Sequence, residues 1–521
     1  MVRFRKKWTA ARQVAKQGEQ LMRSYRHILA GILIAANGLT LWQPAYASKD
    51  LFVIDLPGEP SSLDPHVQWN PDSYNVYRNV FDNLVTRDDA GKIVPQIATS
   101  WDYVSDTRIR FKIRDDVSFH DGTKLTADDV VFSVKRITDP AFASPQLGQF
   151  NQITDAVADD PTTVTLTTNG PYPPLFAQLV KLSIVPKHVV EKAGKDAFNI
   201  GPVGSGPYRF ETWQRGVEVT LVRNDAYWGA RGAFPKVVFR AVPDAATRVA
   251  NLQAGASDLV TYLNGDLVAQ IEASGKGKAL VGNTERVAYL GMNVTKPPLD
   301  KPQVREAIAM ALDKVGITDG ILATGEKPVP EIASPAHMGW VEGITAAPYD
   351  AARAKEIMSS TPGADTPIKL LTSPVYDQRV VQAIQQMLND AGMKIEIEMT
   401  DMPNWLKQMQ GGPGVIPAIA FSRWSCGCQD ADGILYPLLH SSSGWSSIKD
   451  GEIDAALDLA RKSLSEEERL AAYKKVHEKV NAEHYIIPLY QAAVVYGAAE
   501  QVSFMPTPNE SIFLNRITWT D

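Results

Sequence analysis

Cysteine is scarce in this chain: of 521 residues only Cys426 and Cys428 are cysteines, and one residue separates them. No disulfide framework can be spread across a chain with so few, so burial of apolar side chains must hold the fold together. Ser48 stands where a lipid-attachment cysteine would follow an export signal, so that pattern is excluded. Neither Gly-x-Ser-x-Gly nor His-Glu-x-x-His occurs, which removes the marks of a nucleophile-elbow hydrolase and of a zinc peptidase. The run Gly275 to Lys278 lacks the preceding glycine and the following Ser/Thr of a phosphate loop. Asp430 to Gly433 has the look of a calcium loop, yet Cys428 would hold its first ligand position and Leu439 its closing acid. The spacing Cys-x-Cys is not the Cys-x-x-Cys of thioredoxin-like enzymes. A chain with no catalytic residues, no cofactor and no resident metal is therefore expected. A periplasmic redox protein or hydrolase is the remote alternative.

Long apolar runs are also missing after the first 47 residues, so no later transmembrane helix is expected. Residues 1–47 read as an export signal. Arg23 and Arg26 precede an apolar stretch from Ile28 to Leu41, and Ala45-Tyr-Ala47 offers a small-residue cleavage site. Met22 would serve as a start without the basic lead. Removal of this segment, with eight Lys/Arg and one Glu, turns the net charge from −6 to −13. So acidic a chain suits neither nucleic acid nor an anionic membrane surface. The periplasm of a Gram-negative bacterium is the expected compartment, and a monomer the expected state. Residues 48–521 are too many for one core, so two or three domains are expected.

Periodicity supplies the elements. Leu51–Leu56, Arg108–Ile113, Thr162–Thr168, Val217–Arg223, Val237–Val242, Lys394–Met399 and Ile486–Tyr496 have strand character. Tyr74–Leu84, Ala127–Ile137, Ala245–Gln253, Gln303–Lys314, Ala351–Ser360 and Arg379–Ala391 carry helical spacing, and Glu452–Val480 reads as two polar helices. Strands and helices that alternate in this way indicate α/β layers. Gly204 and Gly206 are read as a tight turn before Pro207.

An ordered set of landmarks then carries a resemblance. It begins with Leu63-Asp-Pro65, Ser100-Trp101 and the stretch from Ile113 to Gly122. It continues through Leu125 to Ser133, Gly204 to Phe210 and Val222 to Gly229, and closes with Gly291-Met-Asn293, Pro298 to Leu312 and Tyr349 to Lys355. In this order the chain resembles the family-5 solute-binding proteins of ABC importers, which include peptide, opine and nickel receptors. The resemblance implies a two-lobed α/β periplasmic binding protein fold of the large type (cluster C), with a hinge and an extra subdomain. Lobe 1 would comprise 48–84, 199–285 and 486–521; the inserted subdomain, 85–198; and lobe 2, 286–485. The hinge would lie near Thr284–Asn293 and Tyr485–Tyr490. An inner-membrane ABC permease is the implied partner.

The resemblance also places a ligand against the loop that holds both cysteines. Peptide-binding relatives carry an aspartate three residues after the loop tryptophan, where it meets the ligand's ammonium. Counted from Trp424, that position is Gly427. A buried ammonium without a carboxylate is costly, so the loop favours an opine or sugar phosphodiester and is similar to the agrocinopine receptor branch. A dipeptide, oligopeptide or glutathione receptor is the alternative. Expected contacts are Arg423, Trp424, Ser425, Cys426, Gly427, Cys428, Gln429 and Asp430 from the loop. Gln68, Trp69 and Asn70 are expected from lobe 1, with Asn293, His337, Tyr376 and Trp445 in support. Trp424 and Asn293 have competing roles, as a core anchor and as a hinge hydrogen bond. Asp430 and Asp432 lie further along and could cap the next helix. For the cysteines, export favours a disulfide. The tight ring favours two free thiols, and a metal comes last because no histidine stands at ligand spacing.

Overall fold

The structure is a computed structural model that describes residues 49–67 and 70–520. The export-signal reading of residues 1–47 and the candidates Gln68 and Trp69 lie outside the described residues. Among these residues an eleven-stranded mixed sheet runs through most of the fold. From one edge it follows Lys394–Met399, Pro367–Thr372, Ile419–Trp424, Lys278–Met292, Ile486–Ala498, Leu259–Val260, Leu51–Leu56, Lys236–Ala241, Glu218–Arg223 and Tyr208–Gln214. The short strand Lys327–Pro328 also pairs with Ile486–Ala498. A separate antiparallel sheet of Ala98–Ser105, Arg108–Ile113, Thr163–Thr168 and Ile153–Asp160 packs on the helix Ala127–Thr138.

Two antiparallel strands join the halves, Lys278–Met292 and Ile486–Ala498. The second serves two cores in succession along its length. Ile487, Leu489, Tyr490 and Ala492 pack with the helices Pro302–Ala311, Ala351–Ser360 and Gln378–Asp390, whereas Val494, Tyr496 and Ala498 pack with Phe52, Ile54 and Phe239. On the partner strand Ala288, Leu290 and Met292 enter the first of these cores, while Val287 and Tyr289 face a third, beneath Asp432–Leu439, Gly451–Lys462 and Glu466–Glu483. The period-2 geometry of a strand allows this, because neighbouring side chains leave on opposite faces. The pairing register shifts between Asn283 and Val287. Such a bulge re-aims side chains and bends the strand, and it falls where the chain passes from one half to the other.

Short polar side chains start many helices, accepting the backbone N–H groups left unpaired in the first turn. Asp244, Asn264, Asp350, Asp401, Asp450 and Ser465 do so for the helices that follow them. One expected helix is cut short: the segment from Tyr74 is helical only to Tyr77. The reason is tertiary. The Val80 carbonyl accepts the Gly206 N–H at 2.8 Å and the Asn79 carbonyl accepts that of Tyr208 at 2.9 Å, which takes both away from helical partners. A Cβ at Gly204 would lie 2.0 Å from the Val80 oxygen, so this approach requires glycine. Asp82 then accepts from Trp228 and Ser205 at 3.0 Å, Tyr227 at 2.9 Å and Gln96 at 2.8 Å, while burial raises its pKa to about 6. Landmark residues of the sequence thus close one buried junction.

Candidate ligand site between the two halves

The loop after Ile419–Trp424 leaves the third strand from the sheet's edge, beside the crossing strand Lys278–Met292, and is held by its own side chains. The Trp424 indole donates to the Gly433 carbonyl at 2.9 Å, and its ring meets Trp445 edge-on at 4.9 Å. Trp445 in turn lies 6.3 Å from Trp405, and Tyr376 sits edge-on to Phe421 at 5.4 Å. These aromatics therefore brace the loop. Cys426 and Cys428 are joined in a disulfide. Gly433 packs beneath it, where a Cβ would lie 2.2 Å from the Cys426 sulfur. Gln429 adopts a left-handed backbone (φ 55°) and its N–H donates to the Cys426 carbonyl at 2.7 Å. Gly427 is buried within this turn.

Other candidates have their hydrogen bonds spent on the protein. Asn70 caps Pro71–Tyr77, accepting from the Ser73 N–H at 2.8 Å and donating to Ser61 at 2.8 Å. Asn293 donates to the Pro413 and Ile416 carbonyls at 2.8 Å and accepts from Thr295. Asp430 accepts from Arg469, and Asp432 from Arg461. His337 differs. Its Nδ1 meets the Ser334 hydroxyl at 2.9 Å, but its Nε2 is buried without a partner among the described residues, and burial pushes its pKa down to about 4.

Several groups that the sequence reading did not single out converge on the same loop. Arg87, from the part of the chain that carries the small sheet, donates to the Cys428 carbonyl, while its Nε is buried with no acceptor among the described residues. Burial lowers the pKa of Lys181 to about 8, against the nearby Glu285 carboxylate, which raises it. Glu285 lies in the bulge and accepts the Ser425 hydroxyl at 2.5 Å through Oε1. Its neighbour Arg286 pairs with Glu510, which also accepts from Tyr262 at 2.8 Å.

Two hollows flank these groups. One of about 380 Å³ lies beside the crossing strands and is lined by Tyr262, Asn264, Thr324, Asp377, Arg423 and Tyr490. The Arg423 guanidinium forms no ion pair among the described residues and stands 5.8 Å from the Tyr376 ring. The other, about 240 Å³, separates Arg87 and Pro173 from Met338, Asp430 and Arg469. A larger groove of about 640 Å³ runs along the outer face between Gly451–Lys462 and Glu466–Glu483. Its polar groups, such as Lys475 and Glu478, form a solvated rim with no convergent set, so size does not make it the site.

Two α/β halves joined by a pair of crossing strands, with a polar hollow between them, define the periplasmic binding protein fold. The family model for bacterial extracellular solute-binding proteins, family 5 (middle), matches residues 92–446, and the chain belongs to that family. It is 26% identical over 478 residues to the glutathione-binding protein GsiB of Escherichia coli K12, covering 88% of this chain and 92% of that protein. Among solved structures it is similar to the periplasmic binding protein DppA of Helicobacter pylori in complex with the peptide STSA. That likeness has 26% identity and a TM-score of 0.75 over 90% of this chain and 98% of the other. The substrate-binding protein CtaP of Listeria monocytogenes shares the fold with a TM-score of 0.83 at 22% identity, over 91% of this chain and 100% of that one. The family is one of receptors, not enzymes. Among the described residues no helix is long and apolar enough to cross a membrane.

Proposed function

We propose that this protein captures a short peptide or peptide-like zwitterion of the glutathione class in the periplasm and delivers it to an inner-membrane ABC permease. The observation that carries this reading is Arg423, a guanidinium with no acidic partner among the described residues, at the wall of the 380 Å³ hollow. Such a group suits a ligand carboxylate, which it can bind with two parallel hydrogen bonds. The hollow lies within the size range of small-molecule sites. The relatives named for glutathione and for a bound peptide add support at the level of the family.

The moving bodies are taken as 48–84, 199–285 and 486–521 on one side, with 85–198 attached, and 286–485 on the other. A ligand that touches both stabilises the closed form by its differential affinity for that form. The permease then meets a shape that reports occupancy. The second reading is an opine-type sugar phosphodiester, favoured by Gly427 at the place where peptide receptors of the family carry an acid. Arg423 would serve a phosphate as well as a carboxylate.

The test is calorimetry of the mature protein against glutathione, di- to pentapeptides, an agrocinopine-type phosphodiester and nickel. One-to-one uptake of glutathione or a short peptide is expected. Uptake of the phosphodiester alone would overturn the proposal in favour of the second reading.

A further inference from the structure

Glu285 is only 2% exposed, and its carboxylate stands where four parts of the chain meet. Ser425 of the disulfide loop donates to its Oε1 at 2.5 Å. Its backbone N–H donates to the Pro508 carbonyl of the C-terminal segment at 2.9 Å. Lys181 approaches from the side of the small sheet, and the crossing strand itself supplies Arg286. Arg286 is engaged by Glu510, and the other oxygen of Glu510 by the Tyr262 hydroxyl. The second carboxylate oxygen of Glu285, Oε2, has no hydrogen-bond partner among the described residues.

A buried carboxylate oxygen with no donor is expensive, because water has been removed and nothing replaces it. A folded protein rarely keeps such a group without a use. A core carboxylate could be replaced by an apolar side chain at little cost. This one instead sits at the bulge where the chain crosses between halves, directly against the loop. Burial raises its pKa, with Arg286 opposing and Glu510 adding to the rise. Such a group gains most from a partner that brings both a positive charge and N–H donors. An ammonium does both, and charge-assisted hydrogen bonds are the stronger kind. A metal ion fits less well, since among the described residues no three His, Cys, Asp or Glu side chains gather.

We infer that Glu285 Oε2 is the acceptor for the ligand's ammonium group, which makes Glu285 the residue that selects ligands with a free amino terminus. The inference rests on the peptide-like reading above and names the negative end of that site. The positive end is Arg423, on the neighbouring strand and opposite Ala288. Glu285 stands three positions before Ala288, within the bulge that re-aims its side chain.

The experiment is calorimetry of the full mature protein with glutathione and a tripeptide, each with a free and an N-acetylated amino group. The wild type is expected to bind the free-amino forms at least ten-fold tighter. Glu285→Gln is expected to abolish that preference by weakening only the free-amino forms, and Glu285→Asp, which keeps the charge, to retain part of it. Equal binding of free and acetylated ligands by the wild type would overturn the inference and leave the peptide reading standing, with no variant needed. A preference that survives in a cooperatively melting Glu285→Gln would overturn it as well. If the wild type takes none of these ligands, the peptide reading itself fails and the inference falls with it.

Discussion

The Nη2 of Arg469 bridges both carboxylate oxygens of Asp430, at 2.8 and 2.9 Å, and both side chains are buried. This pair lies immediately after the disulfide turn and ties the loop to the helix Glu466–Glu483. Asp430 also accepts the Asp432 N–H at 3.0 Å, which sets up the helix that follows. Its charge is therefore spent inside the protein. Asp430→Asn should destabilise the fold by about 3 kcal/mol, the scale for removing one partner of a buried pair. Urea unfolding measures this, and the Asp430→Asn/Arg469→Met double variant should recover part of the loss. If Asp430→Asn instead abolished binding at unchanged stability, Asp430 would be a ligand contact.

Arg423 makes the opposite case. It lines the hollow and forms no ion pair among the described residues, so its removal leaves no buried carboxylate behind. Arg423→Gln should leave the melting temperature within about 1 °C, as a surface-type change does. It should lower the affinity for an anionic or zwitterionic ligand ten-fold or more. Unchanged affinity by calorimetry would move the positive end of the site elsewhere.

Trp424 is an anchor for the loop. Its indole N–H reaches the Gly433 carbonyl and its ring packs on Trp445. Trp424→Ala should cost about 3 kcal/mol in stability. It should also loosen Ser425, and with it the contact to Glu285. Trp424→Phe should retain more stability, losing the hydrogen bond and keeping much of the ring contact. A Trp424→Ala protein with wild-type unfolding and a pure binding defect would contradict the anchor role.

Gly433 leaves no room for a side chain, because a Cβ would meet the Cys426 and Cys428 sulfurs at 2.2 and 2.8 Å. Gly433→Ala should destabilise by about 1–3 kcal/mol through overpacking. The effect should shrink in a Cys426→Ser/Cys428→Ser background, where the tether between the two side chains is gone. Equal costs in both backgrounds, by differential scanning calorimetry, would place the clash elsewhere.

Buried histidines should make the protein acid-sensitive. Burial pushes His66, His120, His337 and His477 down to about 4. Their folded pKa values lie below the ordinary value near 6.5. The stability they contribute is therefore present in full above about pH 6.5 and is lost as pH falls toward 4. Glu331 runs the other way. Burial raises it to about 8, with its Oε2 3.7 Å from His477 Nε2. Its contribution is present below about 4.5 and is lost as pH rises toward 8. Glu331→Gln should thus match the wild type near pH 5 and gain on it by pH 8.5, as followed by urea midpoints. A difference that does not change with pH would mean that Glu331 is not buried in this way.

How far local sequence reaches is visible in particular elements. The strands Leu51–Leu56, Arg108–Ile113 and Lys394–Met399 and the helices Ala245–Gln253 and Ala351–Ser360 stand where their periodicity predicts. In each, the apolar positions repeat at the period of the element, so burial and local preference agree. The helix from Tyr74 stops early because Gly206 and Tyr208, far away in the chain, claim the carbonyls of Val80 and Asn79, an approach that Gly204 leaves room for. The long strand Lys278–Met292 went unread for a similar reason. Its middle, Thr284 to Arg286, has the composition of a solvated turn and is the unpaired bulge, and only the pairing with Ile486–Ala498 on either side of it makes one strand of the whole.

By itself the sequence determined the family and the α/β layering. It also located the loop at Trp424 to Asp430, because ordered landmarks and strand or helix periods are local properties of the chain. Tertiary structure alone decided which charges are spent and which remain. Asp430 and Arg469 lie 39 residues apart and cancel inside the fold. Ser425 reaches Glu285 across 140 residues of chain. Whether a carboxylate is a structural pin or a free acceptor depends on what folding brings within about 3 Å of it, and no spacing along the chain carries that information.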